Sequence, residues 1–215
     1  MKSIKPRKKV PKYLSDLIKK IKKYGYVAGG AARYFALKKT PKFNDIDIFC
    51  KTLEDEPYIS EILRNLGYTL DRETINSTIY KKKGTKIIAQ IIKPFENEWM
   101  QTYGKPEVMV GQFDFTVVKA YFKSPNKILV GDDFTSHNKS KKLVIEHINC
   151  PIAVTTRVIK YCKKGYRINL SEIIKLFVEW ESRDDDYRDN LLRLVEIENP
   201  STNEIDEMER LLRID

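Results

Sequence analysis

The sequence contains 215 residues, of which 41% are hydrophobic and 33% are charged, a composition typical of a globular chain with a buried core. Its 40 Lys and Arg residues against 30 Asp and Glu residues give a formal net charge of +10, which favours binding to polyanions, nucleic acid above all. No run of about 18 apolar residues is present, which excludes a membrane-spanning helix and predicts no membrane partner. The basic N-terminus lacks the apolar region of a secretory signal.

The cysteines and histidines are too few and too scattered for a disulfide framework or a structural zinc site. Cys50, Cys150 and Cys162 form no CxxC pair, and neither His137 nor His147 lies in a Cys/His cluster. We therefore expect a reducing compartment, the cytoplasm, or the host cytoplasm for a viral protein.

The first predicted elements surround a pair of glycines. Residues 11–24 have the apolar periodicity of an amphipathic helix. Residues 26–30 predict a short strand that breaks at Gly29 and Gly30, and residues 31–39 predict a helix that stops before a proline. This order predicts a tight turn between a strand and a helix.

The next strand, residues 44–50, carries two aspartates on one face. Side chains at i and i+2 of a strand point the same way, so Asp45 and Asp47 lie on the face opposite Ile46 and Ile48. Two carboxylates so placed can converge on a hard cation such as Mg²⁺, which binds a few carboxylates together with phosphate oxygens. The preceding glycine turn can supply backbone N–H groups to those phosphates.

Later segments complete a mixed pattern of strands and helices. Residues 57–68 predict a helix, and residues 74–95 predict two strands around a turn rich in lysine. A strand is predicted to begin at residue 110, with Asp114 between two phenylalanines. From residue 151 onward the pattern becomes helical, and the predicted helices are residues 151–168, 171–183, 184–198 and 203–213. We predict an α+β fold with a catalytic domain over residues 1–148 and a small helical domain over residues 149–215.

Three short blocks give the sequence a resemblance to a known superfamily. "AGG" contains Gly29 and Gly30, "DID" contains Asp45 and Asp47, and "FDF" contains Asp114. In this order they resemble the pattern of DNA polymerase beta-like nucleotidyltransferases. The resemblance implies a nucleotidyltransferase palm, a mixed sheet with flanking helices, followed by a small helical domain.

Within that superfamily, residues 25–168 are most similar to bacterial-type tRNA CCA-adding enzymes and poly(A) polymerases. The matching segments are "YVAGGAARYFALKKTPKFNDIDI", "FDFTVVKAYF" and "PIAVTTRVIKYCKKGYRI". The similarity covers about two thirds of the chain, and 215 residues leave no room for the long helical body of those enzymes. The chain therefore resembles the minimal form of small phage and viral nucleotidyltransferases.

The resemblance implies a template-independent transfer of a nucleoside monophosphate. Asp45, Asp47 and Asp114 would bind two Mg²⁺ ions, with Mn²⁺ as a substitute, while Gly29 and Gly30 would hold the β- and γ-phosphates of an NTP, ATP or CTP. The acceptor implied is an RNA 3′ hydroxyl, for tRNA CCA-end addition or a poly(A)-like tail, with release of pyrophosphate. Two alternatives stay open: nucleotidylation of a protein hydroxyl or a small molecule, and RNA binding without catalysis.

Three cationic residues are further candidates for nucleotide binding. Arg33, on the first helix after the glycines, either reaches the triphosphate or is a surface charge. Arg157 and Lys160 lie one helical turn apart and either contact the nucleotide or form a basic surface. The resemblance places Tyr161 and Tyr166 on the same segment, where we expect both rings to pack the helix against the sheet.

The sequence departs from the family pattern beside two of these blocks. Tyr34 stands where the CCA-adding enzymes have an aspartate, and Gln112 and Phe113 stand where they have two arginines that help to read the ribose. Selection for a ribonucleotide is therefore open. Asp114 has two implied roles, a third metal ligand or a ribose contact, and we favour the metal ligand.

Two other charged segments are weighed against ordinary solvated surfaces. "DDDYR", residues 184–188, has the D-x-x-R spacing of the family's base-reading motif, but we favour a solvated acidic face. The lysine-rich turn lies within a predicted hairpin, where its cations can steer the phosphates of a polynucleotide. Its lysines are Lys81, Lys82, Lys83 and Lys86.

Overall fold

A computed structural model of the protein describes residues 1–96 and 101–195. The strands are β1 Lys2–Ile4, β2 Gly25–Ala28, β3 Asp45–Cys50, β4 Tyr68–Glu73, β5 Ser77–Lys82, β6 Ile88–Ile92, β7 Ala120–Ser124, β8 Lys127–Val130, β9 Lys142–Leu143 and β10 Arg167–Ile168. The first eight form one sheet in the order β1-β8-β7-β2-β3-β6-β5-β4. Within it β3 and β6 are parallel, whereas the other neighbouring pairs are antiparallel.

Helices flank this mixed sheet, which confirms the predicted α+β fold class. They are α1 Lys12–Ile21, α2 Gly30–Ala36, α3 Glu56–Asn65, α4 Pro106–Gly111, α5 Phe134–Ser140, α6 Pro151–Cys162, α7 Leu170–Glu181 and α8 Asp185–Val195. None of the described helices is long and apolar enough to cross a membrane. The helix predicted over residues 203–213 lies outside the described residues.

The main core fills the space between one face of the sheet and the helices α1, α2 and α3. Helix α1 buries the apolar stripe that its sequence predicts, because residues three and four apart share a helix face. Its buried side chains are Leu14, Leu17, Ile18 and Ile21. Strand β3 contributes Ile46 and Ile48, both fully buried. Burial of each such side chain stabilises the fold by roughly 1.5–3 kcal/mol. Because Ile46 and Ile48 face this core, the residues that alternate with them on β3 face away from it.

A second core joins the end of the sheet region to the helices that follow it. Phe115 and Val117 pack there with Val158, Tyr161 and Tyr166. This cluster contains residues from both sides of position 148, where we predict a domain boundary. The helix α6 is therefore held against the sheet region by shared apolar packing.

The prediction of a strand that begins at residue 110 is wrong. Residues Pro106–Gly111 form helix α4, and Asp114 lies in the bend between α4 and a 3₁₀ turn, Thr116–Val118. Pro106 favours a helix start because its fixed φ suits the first helical position. Phe115 and Val117 enter the second core from this turn and not from a strand. Strand β7 begins only at Ala120.

Candidate functional site

Strand β3 presents both predicted aspartates on the face away from the main core. Burial alternates along it, with Asp45 and Asp47 partly exposed and Ile46 and Ile48 fully buried. Asp47 lies opposite Ala28 of β2 in the antiparallel register. The structure thus brings the two carboxylates together beside the end of β2, as the alternation predicts.

Gly29 turns the backbone directly against one of these carboxylates. Its φ of 66° and ψ of −130° are accessible almost only to glycine. An added Cβ at Gly29 would lie 3.4 Å from Asp47 Oδ2, whereas one at Gly30 would meet no atom within 4 Å. The predicted glycine turn therefore lies beside the aspartates and faces open space at Gly30.

Asp45 lies close enough to Asp47 to change the proton affinity of the Asp47 carboxylate. Burial and the neighbouring charge of Asp45 raise the pKa of Asp47 to about 7, while Lys160 and Arg157 oppose that shift. Within the described residues, neither carboxylate accepts a hydrogen bond or forms an ion pair. Two adjacent carboxylates without protein partners are the chemistry of a cation site.

A basic stripe on and just beyond helix α6 faces the aspartates. It consists of Arg157, Lys160 and Lys164, three and seven residues apart, which places them on one helix face. Burial and the neighbouring cations Lys160 and Arg33 lower the pKa of Lys164, and the negative charge of Asp45 opposes that shift. The structure therefore places Arg157 and Lys160 near the aspartates, and their predicted contact with a nucleotide stays a prediction. It adds Lys164, which the same helical spacing signals in the sequence.

Asp114 does not join the aspartate pair. It is only 8% exposed, its carboxylate forms an ion pair with Arg157, and its backbone carbonyl accepts a hydrogen bond of 2.8 Å from the Glu146 amide. No group of three or more His, Cys, Asp or Glu side chains in the described parts of the chain is placed to hold a metal ion. In this arrangement Asp114 orients Arg157, and its predicted roles as a metal ligand or ribose contact stay predictions.

Arg33 is neither on the surface nor directed at open space for a triphosphate. Its side chain is 5% exposed and faces protein acceptors. Its Nε donates to Asn138 Oδ1 at 3.2 Å, its Nη1 to Thr40 Oγ1 at 3.2 Å and its Nη2 to the Tyr166 hydroxyl at 2.5 Å. The surface-charge interpretation is wrong, and the triphosphate role has no support in this geometry. The Arg33 cluster comprises Arg33, Thr40, Asn138, Tyr161 and Tyr166.

The cluster joins separate parts of the chain around the site. The guanidinium of Arg33 lies 5.5 Å from each ring centroid of Tyr161 and Tyr166. The Tyr166 hydroxyl donates to Asn138 Oδ1 at 2.5 Å. Helix α2, which follows the glycine turn, is thereby tied to α5 and to the segment after α6. Both tyrosines are buried, as predicted.

Two residues that depart from the family pattern pack against aromatic neighbours. Tyr34 contacts the rings of Phe35 and Phe43. Phe113 lies with its ring centroid 5.5 Å from that of Phe49, and its ring edge is 3.9 Å from an added Cβ at Gly29. The surface beside the glycine turn is therefore aromatic where the family pattern has an arginine.

The segment "DDDYR" makes local contacts. Asp184 Oδ1 accepts a hydrogen bond of 2.8 Å from the Tyr187 amide. Arg188 forms ion pairs with Asp185 and Glu181, whose side chains are exposed. These contacts agree with the solvated acidic face that we favour.

The donor set at β3 fits a divalent cation. Asp45 and Asp47 supply carboxylate oxygens, which Mg²⁺ and Mn²⁺ prefer. Burial and the neighbouring charge of Asp45 raise the pKa of Asp47, and a cation beside the two carboxylates would oppose that shift. Open space at Gly30 and the basic stripe leave room and positive charge for the phosphates that accompany such a cation.

The sequence profile of a family described as Gabija anti-defense 2 family protein matches residues 5–141. No curated protein matches the chain.

Several solved structures share the fold. A CCA-adding enzyme in complex with CTP superposes with a TM-score of 0.61 at 18% identity, over 98% of this chain and 56% of its own. The Thermotoga maritima CCA-adding enzyme complexed with tRNA gives 0.60 at 19%, over 98% and 55%. A tRNA-processing enzyme gives 0.55 at 15%, over 96% and 58%. The chain thus spans little more than half the length of these structures, which share its fold at low identity.

Proposed function

The chain belongs to the Gabija anti-defense 2 family, and we propose that it is a template-independent nucleotidyltransferase. The reaction transfers a nucleoside monophosphate from an NTP, ATP or CTP, to an RNA 3′ hydroxyl. The fold shared with CCA-adding enzymes supports this proposal. The observation that carries it is the pair of carboxylates on β3, which have no partner among the described residues and lie between the glycine turn and the basic stripe.

Asp45 and Asp47 are the residues that hold divalent cations in this proposal. When bound, Mg²⁺ neutralises phosphate oxygens and stabilises both the attacking and the leaving oxygen of an in-line displacement. Bound cations would keep the Asp47 carboxylate ionised, although burial and the charge of Asp45 raise its pKa to about 7 in their absence. We propose two ions, as in the superfamily that the sequence resembles.

The glycine turn and the basic stripe position the triphosphate. The first N–H groups of α2 have no intrahelical acceptor, and the open space at Gly30 lets phosphate oxygens approach them. Lys160 and Lys164 neutralise phosphate charge from the opposite side, and Asp114 holds the Arg157 guanidinium for the same task. Placing charges in this way before the reaction is the main source of catalysis in phosphoryl transfer.

The chemical step is a displacement at the α-phosphorus. The 3′ hydroxyl oxygen forms a bond to phosphorus while the bond to the β-phosphate oxygen breaks. The leaving pyrophosphate takes that electron pair, and the hydroxyl proton passes to solvent.

A labelling experiment tests the proposal. The protein is incubated with each α-labelled NTP or dNTP, Mg²⁺ or Mn²⁺, and a mixture of tRNA, other RNA and protein. We expect cation-dependent label at RNA 3′ ends. Label in neither RNA nor any other acceptor, from a folded protein with each nucleotide, would contradict catalysis.

The family description favours one alternative acceptor. It names an activity against Gabija defence, and a protein hydroxyl of that system is a suitable target for the same chemistry. Label in protein with none in RNA would select this second candidate. Cation-independent RNA binding without label would select the non-catalytic alternative.

A further inference from the structure

Three exposed lysines lie at the end of the sheet where β3 begins. Lys42 precedes Asp45 by three residues, and Asp45 lies opposite Ile88 in the parallel pairing of β3 with β6. Lys86 precedes Ile88 by two residues, and Lys83 lies across the same turn. The two adjacent parallel strands β3 and β6 therefore start at the same end of the sheet. Near this end lie three lysines, which we call the strand-start lysines: Lys42, Lys83 and Lys86.

The strand-start lysines have no partner within the described residues. Two other lysines of the same hairpin differ, because Lys81 forms an ion pair of 2.7 Å with Asp71 and Lys82 donates to the Leu66 carbonyl at 2.5 Å. Those two contribute to the packing of the sheet edge. The strand-start lysines contribute nothing visible to the fold, and their ammonium groups stay available to a ligand.

The nucleotide does not account for these cations. In the proposed function its triphosphate lies between the glycine turn and the basic stripe, on the face of β3 that carries the aspartates. The strand-start lysines lie at the strand ends, outside that face. A ligand that reaches both places must carry negative charge well beyond the reacting atom, as a chain of phosphates does and a single hydroxyl of a protein does not.

We propose that the strand-start lysines bind the sugar–phosphate backbone of a single-stranded polynucleotide whose 3′ end reaches Asp45 and Asp47. The inference rests on the proposed function and names the class of its acceptor. Backbone contacts of this kind are independent of sequence and sensitive to salt, because each neutralised phosphate releases counterions. RNA and DNA share the phosphates of this backbone, so the surface accepts both and the sugar is read elsewhere.

Oligonucleotide binding by charge-matched variants tests this surface. Fluorescence anisotropy measures binding of a 20-nucleotide single strand, as RNA and as DNA, from 50 to 300 mM KCl. The variant K42Q/K83Q/K86Q is expected to bind both strands on the order of ten- to a hundredfold more weakly near 0.1 M salt. Its slope of log K against log salt is expected to be smaller in magnitude by about 2, or ~0.7 for each lost phosphate contact.

The matched control removes the same charge from the opposite end of the sheet. Lys19, Lys20 and Lys22 are exposed at the end of α1, just before Gly25, which pairs with Cys50 at the far end of β3. The variant K19Q/K20Q/K22Q is expected to change the slope by less than about 0.7. Equal losses in both variants, or none in K42Q/K83Q/K86Q, would overturn the inference.

Extension of the same strands by the wild type separates this inference from the proposed function. Nucleotide addition that falls in parallel with binding in K42Q/K83Q/K86Q supports both. Selective loss of binding, with no addition by the wild type to these strands or to any other acceptor, would overturn the catalytic proposal while the surface stands. Addition to a protein with unchanged strand binding in K42Q/K83Q/K86Q would overturn the inference while transfer stands.

Discussion

Asp45 and Asp47 lie on β3 without hydrogen-bond partners in the described chain, whereas the nearby Arg33 has each of its guanidinium nitrogens bonded to a protein acceptor. Both sites come from one short stretch of sequence, and both place charge near the interior. Burial and the charge of Asp45 raise the pKa of Asp47, while the Arg33 guanidinium is surrounded by neutral acceptors and two aromatic rings. Charge that the fold leaves uncompensated is available for a ligand, and charge that it satisfies holds the structure together.

The largest expected effect is on catalysis. Asp45→Ala and Asp47→Ala should each lower nucleotide transfer by roughly a thousandfold or more, because each removes cation binding at the reacting phosphate. Transfer is measured with α-labelled NTP and an RNA acceptor, and folding by circular dichroism. Asp71→Ala is the matched control, since Asp71 pairs with Lys81 on another strand; a comparable loss there would remove the distinction between the sites.

The next effect is on stability and belongs to the Arg33 cluster. Arg33→Met should lower the free energy of unfolding by about 2–4 kcal/mol, because the buried Tyr166 and Asn138 lose a charged hydrogen-bond donor. Urea denaturation measures the change. Arg72→Met is the control, because the Arg72 side chain is 66% exposed. Equal stability of Arg33→Met and wild type would mean that the cluster does not hold the fold.

A smaller effect separates the two glycines. Gly29→Ala should cost about 1–3 kcal/mol of stability, since its positive φ strains a side chain and its Cβ would touch Asp47. Gly30→Ala should change stability by about 0.5 kcal/mol or less, because its Cβ meets open space. Thermal melting of both variants tests the difference, and equal shifts would show that the turn is not strained at Gly29.

The smallest effect depends on pH. The folded pKa of Asp47 is raised from 3.8 to about 7, so the protonated folded form is favoured. Its contribution to stability is present below pH ~4 and lost as the pH rises to ~7. Without divalent cations, Asp47→Asn should therefore melt roughly 2–6 °C above wild type at pH 8 and close to it at pH 4. The same gain at both values would mean that Asp47 has an ordinary pKa.

The sequence predicts those parts of the site that depend on local geometry. The two-residue period of β3 places Asp45 and Asp47 on one face, and the glycine pair marks the turn beside them. The position of Lys164 beside Arg157 and Lys160 follows from helical spacing, because Lys164 lies about one turn after Lys160. The sequence also predicts the lysine-rich hairpin, because its turn separates two segments rich in strand-forming residues.

The remainder depends on contacts between distant parts of the chain. Arg33 is buried because Asn138 and Tyr166, more than a hundred residues later, supply its acceptors. Asp114 resembles a strand residue in the sequence, but the structure places it in the bend after α4, where its carboxylate pairs with Arg157. No local pattern contains either partner.

The most direct test of this account is cation binding at β3. Titration with Mn²⁺, followed by electron paramagnetic resonance, compares the wild type with Asp45→Asn, Asp47→Asn and Asp114→Asn. We predict that the wild type and Asp114→Asn bind Mn²⁺ with similar affinity, and that either substitution on β3 weakens binding at least tenfold. Wild-type affinity in Asp47→Asn, or loss of binding in Asp114→Asn, would contradict the assignment of the cation to the aspartate pair.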